Sequence, residues 1–180
     1  MNKILIDNIA FNLIIKRLCF ELVEHHKDFA NTVLIGIQPR GTHFCTRITQ
    51  KLKEIRPNIN VISGALDVTF YRDDFRRREK PLEPSKTDIP FMVENKKVVL
   101  IDDVLYTGRT IRAAMDAILD FGRPEKIELL TLIDRRFSRH VPVQPDYVGK
   151  TVDVVANEIV RVEWKEYHGK DQIILLNKPE

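Results

Sequence analysis

Glycine is scarce in this chain, seven among 180 residues, and no two of them form the Gly-x-Gly of a dinucleotide-binding turn. A P-loop is excluded in the same way: Asp103 stands where its first glycine is needed, five residues before Gly108. Neither an ATPase nor a dehydrogenase is favoured. Cysteine is scarcer still. Cys19 and Cys45 are isolated in stretches that read as helix faces, so reduced, buried thiols are expected rather than a disulfide or a nucleophile, which suits the cytoplasm. No apolar run approaches the ~20 residues of a membrane span, and no secretory or transit segment is visible at the amino terminus. His25, His26, His43, His140 and His168 have no metal-ligand spacing, and no Ser-His-Asp pattern accompanies a nucleophile turn. The net charge of +3 does not by itself mark a nucleic-acid binder. Basic residues do gather in two segments, Arg72, Arg76, Arg77, Arg78 and Lys80, then Arg135, Arg136, Arg139 and His140, and solvated loop faces explain either cluster as well as binding does.

What the chain does have is the material for one α/β domain. A 180-residue globule buries about 70% of its unfolded surface and is short for two domains. Its centre is Val98-Val99-Leu100-Ile101-Asp102-Asp103, a strand apolar enough to be buried on both faces that gives way to two carboxylates. Tyr106-Thr107-Gly108-Arg109-Thr110 then turns into a helix with a stripe of Ile111, Ala114, Met115, Ile118 and Leu119, ended by Gly122 and Pro124. A helix start offers free N–H groups and partial positive charge, and Gly108 lets an anion approach the backbone. The stretch reads as an anion cradle with an acidic pair beside it, at the carboxyl end of a strand, where open α/β sheets bind ligands.

The flanking segments repeat this plan. Asp7 is an N-cap candidate for a helix to about His26, with Ile9, Leu13, Leu18 and Leu22 on its apolar face. Thr32 to Ile37 reads as a buried strand, and Gln38-Pro39-Arg40-Gly41 turns from it into a helix of about Thr42 to Ile55. Arg40 thus sits at a second strand end, where a guanidinium can grip phosphate oxygens in a bidentate way. The Gln38-Pro39 bond is open to either isomer. Val61 to Tyr71 reads as a strand, and Arg72 to Pro90, with three prolines and no helical stripe, as a long flexible lid. Lys126 to Ile133 is a further strand ending in Asp134-Arg135. Asp146 to Val155, Ile159 to Glu166 and Asp171 to Leu176 read as short strands of a small carboxyl-terminal hood, about 136–180.

The run of four apolar residues, Asp-Asp, three residues and Thr-Gly-x-Thr resembles the signature of type I phosphoribosyltransferases. The words Asp67-Val68-Thr69-Phe70-Tyr71-Arg72-Asp73-Asp74, Asp102 to Thr110, Gly122-Arg123-Pro124, Asp134-Arg135 and Asp146-Tyr147-Val148-Gly149-Lys150 are similar to those of the bacterial PyrR family. The resemblance covers most of the chain. It implies a mainly parallel sheet flanked by helices, with a hood and a lid, and transfer of phosphoribose from phosphoribosyl pyrophosphate (PRPP) to uracil, giving UMP. It also implies binding of pyr leader RNA and a homodimer or larger assembly.

By that resemblance Asp102 and Asp103 hold the ribose hydroxyls, close to Mg²⁺ that arrives with PRPP and needs no dedicated protein cage. Tyr106, Thr107, Gly108, Arg109 and Thr110 hold the 5′-phosphate, with Val104 and Leu105 leading into them. Pro39, Arg40 and Gly41 meet the pyrophosphate, supported by Arg135. Tyr71, Arg72, Asp73 and Asp74 begin the lid, and Arg139 and Lys150 serve RNA. Purine-type relatives carry an acid at the Tyr106 position. An unperturbed phenol keeps its proton to about pH 10, so Tyr106 points to a pyrimidine. Ser138, Gln144 and an extra residue near Arg136 depart from the family's basic RNA face. A purine-type enzyme and a non-catalytic nucleotide sensor are the competing readings.

Overall fold

The computed structural model describes residues 3–73, 84–154 and 158–177. Five strands, β2 (Thr32–Ile37), β3 (Ile62–Leu66), β4 (Lys97–Leu105), β5 (Lys126–Arg135) and β6 (Tyr147–Val152), form one sheet in the order β3-β2-β4-β5-β6. Every pairing in it is parallel. Parallel sheets are covered on both faces, and β2 is accordingly buried at every position. In β4 the pleat divides the side chains, Val99 and Ile101 entering one core and Val98 and Leu100 the other.

The first core is closed by α1 (Asn8–His26) and α2 (Arg40–Ile55), the second by α3 (Arg109–Ile118). Asp7 caps α1, its Oδ1 accepting from the Ala10 N–H at 2.8 Å. The buried stripe of α1 is Phe11, Ile15, Leu18, Cys19, Leu22 and His26. Ile9 and Leu13, expected inside, are 72% and 62% exposed, because their spacing sets them on the other side of the helix from Phe11 and Ile15. Leu119 is likewise exposed, since α3 tightens into a 3-10 turn over Leu119–Phe121. Phe44 packs in the core against Trp164 with ring centres 6.0 Å apart. Cys19 and Cys45 are free and buried, and burial pushes each thiol up to about 12.

The hood differs from expectation. It is a three-stranded antiparallel sheet in the order β1-β8-β7, built from β1 (Lys3–Ile6), β7 (Glu158–Glu163) and β8 (Gln172–Asn177), with the short α4 (Lys165–His168) between the last two. The expected hood strand beginning at Asp146 is β6 of the main sheet, and the amino terminus supplies the missing hood strand. The expected strand to Tyr71 stops at Leu66 and continues as a 3-10 turn over Thr69–Tyr71. Of the expected lid, residues 74–83 lie outside the described residues, and with them Asp74, Arg76, Arg77, Arg78 and Lys80. The returning chain bridges back to β3, where Ala65 and Asp88 exchange backbone bonds of 2.9 and 2.8 Å.

Candidate active site

From β2 the chain passes outward to β3 and then returns past β2 to β4, so the sheet's order reverses between β2 and β4. Such a reversal opens a crevice at the carboxyl ends of the two strands. The β2–β4 pairing ends at Gly36 opposite Ile101, yet β4 continues to Leu105. The acidic pair therefore lies inside β4 rather than beyond its end, in the part that β2 has left. The loop to α2 fills the gap. A Cβ on Gly41 would lie 2.2 Å from the Ile101 carbonyl oxygen, so only glycine lets Pro39 and Arg40 approach the acidic pair. The Gln38-Pro39 peptide is cis.

Asp103 is 4% exposed. Its backbone N–H donates to Asp102 Oδ1 at 2.9 Å, while its own Oδ2 is buried and without a partner among the described residues. Burial, and then the neighbouring charge of Asp103, push the Asp102 carboxyl well above the usual range. Asp103 is also raised by burial, against the pull of Arg40. Two adjacent carboxyl groups thus share a buried site with the Arg40 guanidinium, whose pull does not outweigh their burial.

Beyond β4, Gly108 takes a left-handed φ of 84° and α3 begins at Arg109. Thr107 Oγ1 accepts from the Arg109 N–H at 3.4 Å, and the Thr110 hydroxyl accepts from the Arg72 guanidinium at 2.6 Å. Arg72 comes from the root of the expected lid, which is docked on α3. Asp73 pairs with Arg109, Tyr71 donates to Asp120, and Arg112 donates to the Tyr71 carbonyl at 3.5 Å.

Two adjoining cavities result. One, about 120 Å³, is lined by Tyr106, Thr107, Gly108, Thr110 and Arg72 together with Asp102 and the end of β4. The other, about 380 Å³, brings together Pro39, Arg40, Asp102, Asp103, Val104, Tyr106, Thr110 and Arg135. Arg72, Asp102, Val104, Tyr106 and Thr110 border both. Gln38, Ile159 and Val160 also line the larger one. The hood residues carry no sequence signal for this, because strand pairing alone brings them there. A larger cavity of about 540 Å³ lies elsewhere, between α1, α2 and the 165–171 turn, where Arg47 is already bonded to Glu166 and Asp171.

Arg135 is 6% exposed, stacks its guanidinium 4.1 Å from the centre of the Tyr106 ring, and leaves its Nε unpartnered among the described residues. Asp134 pairs with Arg139 rather than with Arg135. The Arg139 side chain is turned inward, and Lys150 is exposed on β6. Of the residues expected to hold PRPP, Gly41 and Arg109 line neither cavity while the others line one or both, and of the two assigned to RNA Arg139 is engaged inside the protein and Lys150 is exposed.

A family model described as phosphoribosyl transferase domain matches residues 2–167. The chain is 43% identical over 173 residues to the bifunctional protein PyrR of Enterococcus faecalis, covering 96% of each. It is 42% identical over 178 residues to the bifunctional protein PyrR of Elusimicrobium minutum, covering 99% of this chain and 98% of that one. A hypoxanthine phosphoribosyltransferase from Staphylococcus aureus superposes with a TM-score of 0.73 at 22% identity, over 98% of this chain and 93% of that one. That likeness confirms the expected type I phosphoribosyltransferase fold.

Proposed function

Because the chain belongs to the PyrR family of phosphoribosyltransferases, we propose that it transfers phosphoribose from PRPP to uracil, yielding UMP and pyrophosphate. The observation that carries this reading is the juxtaposition, in one 380 Å³ cavity, of Arg40, both carboxylates and the Tyr106–Arg135 stack. The 5′-phosphate fits the cradle at Thr107 to Thr110, where backbone donors and the Arg72 guanidinium converge. Asp102 and Asp103 face the ribose and offset the positive charge that grows on it as pyrophosphate departs toward Arg40. Positioning and electrostatics suffice, and no protein nucleophile is needed.

The acidic pair fits Mg²⁺. Asp103 Oδ2 is a buried oxygen without a partner among the described residues, and carboxylate oxygen is the donor a hard cation takes. Bound with PRPP, Mg²⁺ would neutralise pyrophosphate charge. Among the described residues no group of three His, Cys, Asp or Glu is placed to hold a metal ion.

The base assignment rests on Tyr106, an uncharged ring where purine-type relatives carry an acid. Steady-state assay of PRPP with uracil, hypoxanthine and guanine tests it. UMP formation with no purine turnover is expected, and preference for hypoxanthine would overturn it. The family also supports UMP-responsive binding of pyr leader RNA. Lys150 is the exposed basic residue that remains for it, and filter binding with and without UMP is the check. A homodimer or larger assembly is supported by Ile9, Leu13 and Phe20, exposed along one face of α1. Sedimentation of the full chain and of Leu13→Lys tests that. Among the described residues no helix is long and apolar enough to cross a membrane.

A further inference from the structure

We infer that Arg139 is a positioning residue that sets the shape of the phosphate-binding turn from behind, an inference that rests on reading residues 106–110 as that turn. Its guanidinium makes five bonds among the described residues. Nε donates to the Val143 carbonyl at 3.0 Å, closing the 139–143 segment into a clasp. Nη1 is shared among the carbonyls of Leu105 at 3.3 Å, Tyr106 at 2.6 Å and Arg135 at 3.1 Å. Nη2 pairs with the Asp134 carboxylate.

Of those three residues Tyr106 lies just past the ladder between β4 and β5, Leu105 closes that ladder, and Arg135 still pairs with Val152 of β6. The β4–β5 pairing ends at Leu105 opposite Asp134, so beyond it Tyr106 and Arg135 have no ladder partner in each other. Arg139 takes over where the ladder stops and ties the two strand ends that carry the stacked Tyr106 and Arg135. The clasp continues the pattern one residue on, because the Thr107 carbonyl accepts from the N–H groups of His140 at 2.9 Å and Val141 at 3.3 Å.

In a trans peptide the C=O and the following N–H point in opposite directions. With the carbonyls of Leu105, Tyr106 and Thr107 all drawn toward the clasp, the N–H groups of Tyr106, Thr107 and Gly108 are aimed away from it. The 120 Å³ cavity is lined by those three residues and by none of 136–143, so the clasp and the cavity occupy different sides of the turn. Gly108 shows how tight the backing is: a Cβ there would lie 2.7 Å from Val141 Cγ2. Arg139 therefore acts on the substrate only through the backbone it holds. An arginine suits the task, since its planar fork holds five donors in a fixed geometry whereas a lysine ammonium is a compact point charge.

Calorimetric titration with two probes, ribose 5-phosphate for the turn and Mg²⁺-pyrophosphate for the Arg40 loop, separates this role from others. For Arg139→Ala and Arg139→Lys we expect ribose 5-phosphate to bind about tenfold more weakly, and pyrophosphate to change by less than about twofold. Methylguanidinium at millimolar concentration should restore binding to Arg139→Ala and leave the native protein unchanged. Asp134→Asn, which removes the ion pair but leaves the carbonyl acceptors, should retain binding. Unchanged ribose 5-phosphate affinity in both Arg139 variants, or a parallel loss of both probes without rescue, would overturn the inference. If the native protein binds pyrophosphate but not ribose 5-phosphate, the phosphate reading of the turn itself fails.

Discussion

The guanidinium of Arg135 lies over the ring of Tyr106 at 4.1 Å, joining the last residue of β5 to the residue that follows β4. The stack keeps a buried cation beside an aromatic face and leaves Arg135 Nε facing no protein acceptor among the described residues. Tyr106→Phe preserves the ring and should change kcat/KM for uracil by less than threefold or so, whereas Tyr106→Ala removes about 0.5–2 kcal/mol of cation–π attraction. We therefore expect a loss from Tyr106→Ala of roughly twofold to thirtyfold, measured as initial UMP formation at limiting PRPP.

The acidic pair sets function against stability. A carboxyl whose folded pKa is raised above the ordinary value of about 3.9 favours its protonated form in the fold, so its ionisation destabilises the protein as pH rises through the raised value. Asp103→Asn removes that cost. We expect the ligand-free variant to melt at a higher temperature at pH 7.5, by about 2–4 °C for each kcal/mol relieved in a chain of this size. Transfer should fall by about two orders of magnitude or more, as for the loss of one preorganised electrostatic group.

The same shift sets the acid limb of activity. The pair must be ionised to offset charge on the ribose. The kcat/KM profile should therefore fall on acidification at a pH above the ordinary carboxylate range, with the pair titrating as a unit. A limb centred at or below about 4 would contradict burial as the dominant influence on it.

Gly41 is the steric pivot of the loop proposed to meet pyrophosphate. In Gly41→Ala the new Cβ, 2.2 Å from the Ile101 carbonyl oxygen, must push the start of α2 away from β4 and carry Arg40 with it. An ångström-scale misplacement of this kind costs about a hundredfold in kcat/KM. Pyrophosphate affinity should drop while ribose 5-phosphate affinity holds.

At the other end of the sheet, His26 Nε2 lies 2.9 Å from Glu128 Oε2, and its Nδ1 accepts from the Thr32 hydroxyl at 3.0 Å. Burial lowers the His26 pKa although Glu128 opposes it, and burial dominates, so the neutral ring is the folded form and the contact is a hydrogen bond rather than an ion pair. The unfolded chain then binds the proton more readily. Stability should be full above about pH 6.5 and decline as pH falls from there toward the lowered folded value. Melts between pH 7.5 and 5 should show that decline in the native protein and a flatter profile in His26→Gln.

The parts of the molecule legible in the sequence are those whose signal is local. Thr32–Ile37 and Val98–Ile101 read as strands because burial on both faces leaves no polar position, and Asp7 read as a cap because capping is decided within one turn. The anion cradle was legible for the same reason, since strand, glycine turn and helix start are contiguous. Ile9 and Leu13 were misassigned because any isoleucine or leucine in a helix invites a place on its apolar stripe. That β6 joins β5 and that β1 joins β8 are facts of pairing between distant segments, which alternation within a strand does not encode. The inward turn of Arg139 was hidden too, because its partners are mostly carbonyls, and every residue has one.

The pairing of β1 with β8 sets Lys3 beside Leu175 and so closes a loop over almost the whole described chain. A contact so remote in sequence is entropically the most expensive kind to form, whereas residues 106–110 and α3 are contiguous. Ile159 and Val160, which wall the larger cavity, belong to the sheet that this contact completes, and the anion cradle belongs to the other. The proposed phosphate cradle and the hood wall of the larger cavity are therefore held by contacts of different sequence separation. Partial loosening of the molecule should free the hood wall of the larger cavity before it disturbs the cradle.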